Sequence, residues 1–165
     1  MYERGAKMVM DQTDSFRLNL VSANEKKEFL SLYMSYRMEL LSKMGDHLKG
    51  IEKEDHLSKF WNDTNNNYLL WFVKEHNKIG FAAISLKEHG TAELEDMSIF
   101  RDHRGKGHDR EAIQEIEKFV SYRGLKKLMT RLPAGPEHSK DFYKDNGFKE
   151  VDDRLELDLD LLTRD

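Results

Sequence analysis

The chain has 165 residues, 35% of them charged and 38% hydrophobic, and a formal charge of −4. That mix suits a single folded domain over residues 1–165, able to bury about two-thirds of the surface its unfolded form exposes, and excludes a disordered or fibrous chain. No run reaches the roughly 20 apolar residues of a membrane span, the lack of cysteine removes disulfides and thiolate chemistry, and the net acidity argues against a nucleic-acid partner.

Residues 1–14 read as a polar leader without the apolar core of a secretory signal, so the expected location is the cytoplasm. Phe16 to Val21 alternates as a half-buried strand does, and Ser22 stands three residues before Glu25 in capping-box spacing, which starts a helix. Through residues 24–45 the positions Phe29, Tyr33, Tyr36, Leu40 and Met44 step by three or four and share one face, a stripe read as core. A shorter helix over 53–62, with Leu57, Phe60 and Trp61 inward, ends in the helix-poor run Asn62 to Asn67. Tyr68 to Val73, Gly80 to Leu86 and Ala92 to Phe100 read as an antiparallel meander, with a turn at His76-Asn77-Lys78 and a break at His89-Gly90. From Arg110 the period is helical, Ile113, Ile116, Phe119 and Val120 sharing a face, until Gly124 ends it. A strand over 125–132, a helix over 139–146 stopped by Gly147, and a closing strand over 150–161 with Leu155, Leu157, Leu159 and Leu161 alternating complete the chain. The pattern predicts an α/β (α+β) fold with a mixed, mostly antiparallel central sheet of six to seven strands flanked by about four helices.

Charge concentrates unevenly. Residues 101–131 hold nine Lys or Arg against five Asp or Glu, whereas residues 148–165 hold three against seven. A basic segment inside an acidic chain suits a small anionic ligand. The same segment runs from a strand through Arg104-Gly105-Lys106-Gly107-His108-Asp109-Arg110 into a helix. Small residues let successive backbone N–H groups converge, and the helix start adds its positive dipole end, so the turn is a diphosphate candidate with Arg104, Lys106 and Arg110 adding charge. A tight strand-to-helix turn with solvated cations is the simpler reading of the same residues. The nucleotide-triphosphate loop and the dinucleotide fingerprint both fail, for want of Gly-Lys-Ser/Thr and of a third glycine. His103, His108, Asp102 and Asp109 match no familiar metal spacing, so no metal is expected.

These residues resemble the GNAT N-acetyltransferases, whose coenzyme loop has the pattern Arg/Gln-x-x-Gly-x-Gly/Ala. Upstream, Leu94-Glu95-Asp96 with the strand ending at Ile99 is similar to spermidine/spermine-type members, and downstream Phe142-Tyr143-Lys144-Asp145-Asn146-Gly147-Phe148 matches Phe-Tyr-x-x-x-Gly-Phe. The resemblance implies a GNAT-like fold and acetyl transfer from acetyl-CoA to a primary amine of a small molecule or peptide, in a ternary complex. It implies coenzyme binding at Met97, Ile99, Arg104, Gly105, Lys106, Gly107, His108, Asp109 and Arg110. Glu95 and Asp96 would meet the amine, Glu95 would act as general base, and Tyr143 would protonate the departing thiolate. A homodimer and a small cationic acceptor such as a polyamine are further expectations; no nucleic-acid or membrane partner is expected.

On a regular strand Glu93 and Glu95 share a face and Asp96 takes the other, so a bulge would decide which carboxylates reach the site. Two positions depart from the family pattern. Asp109 replaces a small residue, and its charge would repel a diphosphate by up to about 4 kcal/mol per charge pair at 4 Å. Pro136-Glu137-His138-Ser139 replaces the usual Asn-x-x-Ala. Two readings therefore stand: an acetyltransferase with modified coenzyme binding, or a catalytically impaired GNAT-like domain that binds a ligand or a protein.

Overall fold

The computed structural model describes residues 15–44, 53–131 and 140–159. In chain order its elements are β1 (Arg17–Leu20), α1 (Lys26–Met44), α2 (Lys53–Asn62), β2 (Asn67–Lys74), β3 (Asn77–Leu86), β4 (Thr91–Ile99), α3 (His108–Tyr122), β5 (Lys127–Arg131), α4 (Lys140–Asp145), β6 (Lys149–Val151) and β7 (Arg154–Asp158). The strands form one mixed sheet in the order β1-β2-β3-β4-β5-β7-β6, with helices on both faces.

Local chemistry explains where the elements begin and end. The Ser22 N–H donates to Glu25 Oε1 at 2.9 Å, and a single turn of 3-10 helix at Ala23–Glu25 leads into α1. Lys78 Nζ lies 2.6 Å from the Glu25 carboxylate, and its hydrogen bond, aided by the Ser22 N–H, holds that carboxyl down at about 2. The turn expected at residues 76–78 falls one residue earlier. Glu75 and His76 both take left-handed backbone, at φ 52° and 67°, the geometry that lets a two-residue hairpin follow the strand twist.

Two cores sandwich the sheet. On one face α3 and α4 bring Ile113, Ile116, Val120 and Tyr143 against Leu70, Ile84, Leu94, Met97, Leu128 and Leu155. On the other, α1 and α2 bring Phe29, Tyr33, Tyr36, Leu40, Leu57 and Phe60 against Leu69, Trp71, Phe81 and Ala83. The expected α1 stripe is thus buried as far as Leu40, and the side chain of Met44 lies outside the described residues.

The C-terminal expectation needs correction. Residues 150–161 are not one strand: β6 and β7 form a hairpin that turns at Asp152-Asp153, with Asp152 at φ 56°. Two consecutive aspartates favour a turn over a strand interior, and the leucine alternation starts only beyond them, with Leu155, Leu157 and Leu159 buried. Leu161, Pro133, Pro136 and Ser139 lie outside the described residues.

What positions the site is the seam between β4 and β5. These strands run parallel and pair only through Thr91↔Lys127, Ala92↔Leu128 and Glu93↔Met129. From Leu94 onward β4 continues to Ile99 with no β5 residue opposite, so the sheet splays open at its fourth strand.

Candidate active site

The bulge that the sequence left open is present at the mouth of this splay. Across β3 and β4, Ile84 pairs with Leu94 and Ala83 with Asp96, so Glu95 has no partner. One extra residue reverses the alternation beyond it. Leu94 and Met97, three apart, both enter the α3/α4 core, while Glu93, Glu95 and Asp96 all point to the α1/α2 face.

Each of these carboxylates is held by a neighbour from another element. Asp96 Oδ1 accepts a hydrogen bond from the Tyr36 hydroxyl at 2.6 Å. Lys59 Nζ of α2 donates to Glu95 Oε2 at 2.6 Å. Ser85 Oγ sits between Asn67 Oδ1, at 2.8 Å, and Glu95 Oε2; a hydroxyl has one proton to give, and an ionised carboxylate is the stronger acceptor. Both contacts to Glu95 fall on Oε2, so Oε1 makes no hydrogen bond among the described residues. Glu93 lies 3.5 Å from Arg131 and 3.7 Å from Lys87. Beside Asp96, burial and then the Asp96 charge push the Tyr33 phenol well above its ordinary value.

The glycine turn lies at the far end of β4. Gly105 and Gly107 have φ of 77° and 80°, a region that a side chain disfavours by about 1–2 kcal/mol, and a Cβ built at either would meet no atom within 4 Å. The backbone there faces open space, beside a pocket lined by Ile99, His103, Arg104, Gly105, His108 and Asp109. Helix α3 starts at His108, earlier than the periodicity suggests, so Asp109 stands in its first turn. Its Oδ1 accepts the Arg110 N–H at 2.9 Å, taking a donor that a phosphate would otherwise use.

The cations around the turn are placed unequally. Arg104 is turned toward α1: its guanidinium grips the Glu39 carboxylate through both terminal nitrogens, one contact at 2.7 Å, and its Nε donates to the Ile99 carbonyl at 2.7 Å. His108 Nδ1 lies 2.9 Å from Glu111 Oε1. Burial raises the Glu111 carboxyl, but His108 and Lys74 outweigh it and hold the group below its usual range. Lys106 and Arg110 remain exposed.

Tyr143 is fully buried, its ring 5.1 Å from Phe142 and 5.4 Å from Phe148. It belongs to the α3/α4 core, whereas Glu95 belongs to the opposite face, so the sheet separates the two residues that sequence alone pairs. The splay is the passage between those faces. Its first step is bridged by Thr130 Oγ1, which donates to the Leu94 carbonyl at 3.0 Å.

Residues 30–148 match the profile of the Acetyltransferase (GNAT) family, over well more than half the chain. The chain belongs to that family. Its members use acetyl-CoA as co-substrate for N-acetyl transfer. The uncharacterized N-acetyltransferase YycN of Bacillus subtilis is 27% identical over 88 residues, which cover 50% of this chain and 56% of that relative; the match thus spans about half the relative's length. The spermidine N-acetyltransferase of Vibrio cholerae, in complex with CoA and spermine, superposes with a TM-score of 0.68 at 17% identity, over 88% of this chain and 96% of that one. The PaiA N-acetyltransferase of Thermoplasma acidophilum, in complex with coenzyme A, gives 0.66 at 15% identity, over 87% and 99%. At these identities the structural likeness is one of fold. Among the residues holding this GNAT site, Lys59, Ser85, Glu39 and Arg131 carry no motif, and Tyr36 reads as core by its spacing; only the packing of α1, α2 and β5 on β4 brings them together.

Proposed function

We propose that this GNAT protein transfers acetyl from acetyl-CoA to a primary amine, with Glu95 as general base and Tyr143 as the acid that protonates the leaving thiolate. Acetyl-CoA supplies the activated acetyl group as a thioester. The observation that carries the reading is Glu95 Oε1: bulged out of β4 at the start of the splay, it is held in place through Oε2 and left open to accept a proton.

The chemistry needs that oxygen. An alkyl amine of pKa about 10.4 is less than about 0.1% neutral near pH 7, so a base must remove a proton before nitrogen can attack. Lys59 and Ser85 fix the carboxylate's direction from α2 and β3, and Asp96, tied to Tyr36, adds negative charge that favours the ammonium form at the same face. The chain has no cysteine to carry an acyl thioester, which favours direct attack by the amine. A phenol of ordinary pKa about 10 donates to a thiolate at modest cost, and the role given to Tyr143 requires the sulfur to lie across the splay from Glu95. The open backbone at Gly105 and Gly107, with Lys106 and Arg110, would hold the diphosphate. The β4 amides from Met97 to Ile99 would hold the pantetheine arm. Arg104 supports the loop from behind by tying Ile99 to Glu39, and His108 steadies its helix start through Glu111.

Asp109 favours the second reading, a domain that has lost catalysis, because its carboxylate occupies an amide of the cradle. Calorimetry separates the two. Acetyl-CoA should bind, and Asp109→Gly should bind it more tightly; no heat with either protein at millimolar coenzyme removes the enzymatic reading. With an amine panel followed by thiol release, Glu95→Gln should lower kcat by about 10²–10⁴-fold, and full rates in both Glu95→Gln and Tyr143→Phe would show the assigned roles to be wrong.

A further inference from the structure

On the α1/α2 face a wide groove crosses the seam where β4 and β5 pair, reaching along β4 as far as Glu93, two residues before Glu95. Its walls carry Lys87, Lys127, Arg131 and Arg154 against the carboxylates of Glu88 and Glu93. Glu88 is almost wholly exposed, its side chain 93% accessible. The other acids are each shared by two cations. Glu93 takes Lys87 at 3.7 Å and Arg131 at 3.5 Å, and Glu156, beneath the groove, takes Lys127 at 3.1 Å and Arg154 at 2.8 Å. Four cations thus meet three carboxylates, and part of the positive charge faces solvent: the side chains of Arg131 and Lys127 are 59% and 45% exposed.

The acidic strand that suggests a polyamine does not survive this packing. Glu93 is covered by two cations and Asp96 by a phenol, and Lys59 takes one oxygen of Glu95, leaving only Oε1. The second charge of a polycation would have to displace one of these partners or lie in the basic groove. An amine that also carries an oxyanion meets complementary groups at both ends: Glu95 Oε1 for the ammonium, Arg131 and Lys127 for the oxyanion. Arg131 sits against Glu93, which two residues of extended strand, on the order of 6 Å, separate from Glu95.

We propose that the acceptor is a compact primary amine bearing a carboxylate or phosphate, and that Lys127 and Arg131 bind this oxyanion. The assignment of Glu95 as the amine's partner rests on the acetyltransferase reading; the binding of an oxyanion in the groove does not.

Three probes of equal chain length separate the possibilities: 4-aminobutyrate, butylamine and 1,4-diaminobutane, each titrated calorimetrically into the full-length protein. The expected result is 4-aminobutyrate binding at least about ten-fold more tightly than the other two. The double variant Lys127→Gln/Arg131→Gln should abolish that preference, and Arg131→Lys should retain part of it. Equal affinities, a preference for the diamine, a preference that survives the double variant, or no heat from any probe at tens of millimolar would overturn the proposal. Thiol release with the same amines then tests the other claim. A calorimetric preference without acetylation of any amine defeats the acetyltransferase reading alone, whereas equal turnover of all three amines defeats the oxyanion proposal alone.

Discussion

The two faces of the sheet bury comparable stretches of the same strands with different chemistry. Under α3 and α4 the packing is largely aliphatic, Leu70, Ile84, Leu94, Ile113, Ile116 and Leu128 among its members. Under α1 and α2 it is aromatic: the Phe81 ring lies 5.4 Å from Phe29, 5.8 Å from Tyr33 and 5.1 Å from Tyr36, all steeply inclined. That face also carries buried polar groups, the Asp96 and Glu93 carboxylates among them. An aliphatic core needs only shape and volume, whereas a polar aromatic one is tolerable only where its charges find partners. The difference separates tasks: one face secures the helix behind the glycine turn, and the other holds carboxylates in fixed directions at the splay.

The comparison can be broken at the aromatic centre. Phe81→Ala removes the ring that joins Phe29, Tyr33, Tyr36 and Phe100 and should cost about 3–5 kcal/mol, read from the denaturant midpoint. A loss as small as that of a surface substitution would mean the α1/α2 cluster is not a core.

A smaller effect tests the aliphatic side, where Glu117 of α3 is the exception. Burial alone pushes its carboxyl up to about 7. The folded chain therefore holds a proton there that the unfolded chain gives up near 4.5, and stability falls as pH rises through that window. Since the group is only partly buried and solvent screens part of the penalty, Glu117→Gln should gain about 1–2 kcal/mol at pH 8 and little at pH 4.5; an equal gain at both values would show that burial does not govern this group.

The smallest effect belongs to Glu25 at the entry to α1, whose carboxyl is held down at about 2. A depressed acid stabilises fully above its unfolded value near 4.5 and loses that contribution as pH falls toward 2. Since the pair with Lys78 is screened by solvent, Glu25→Gln should cost only about 0.5–1 kcal/mol at pH 7, and the gap from the parent should close at pH 2–3. A gap that persists there would assign the effect to helix capping rather than charge.

Much of the fold was legible in the residues. Period 3.6 marked α1 and α3, the dense apolar run marked β2, and Gly124 and Gly147 follow the ends of α3 and α4 where expected. The misreadings share one cause. Alternation from Leu155 onward reads back through Asp152-Asp153 as one strand, because a periodic pattern does not announce where its first member lies. Periodicity places the start of α3 at Arg110, because His108 and Asp109 carry no apolar signal although they already have helical backbone.

The candidate site divides the same way. Motif spacing singled out Glu95, Tyr143 and the glycine turn, since backbone conformation at Gly105 and Gly107 and the order of strand, turn and helix are local properties. Partners are not local. Lys59 reaching Glu95, Glu39 reaching Arg104, and Arg131 with Lys87 reaching Glu93 join residues 36, 65, 38 and 6 positions apart in the chain, mostly through elements whose own patterns say nothing of the site. The amino-acid sequence by itself determined the family, the strand-turn-helix cradle and the supply of carboxylates on β4. Only the tertiary structure decided which way those carboxylates point, because a single bulged residue reverses the alternation, and which charges remain uncompensated, because that depends on the cations that neighbouring strands and helices bring within reach.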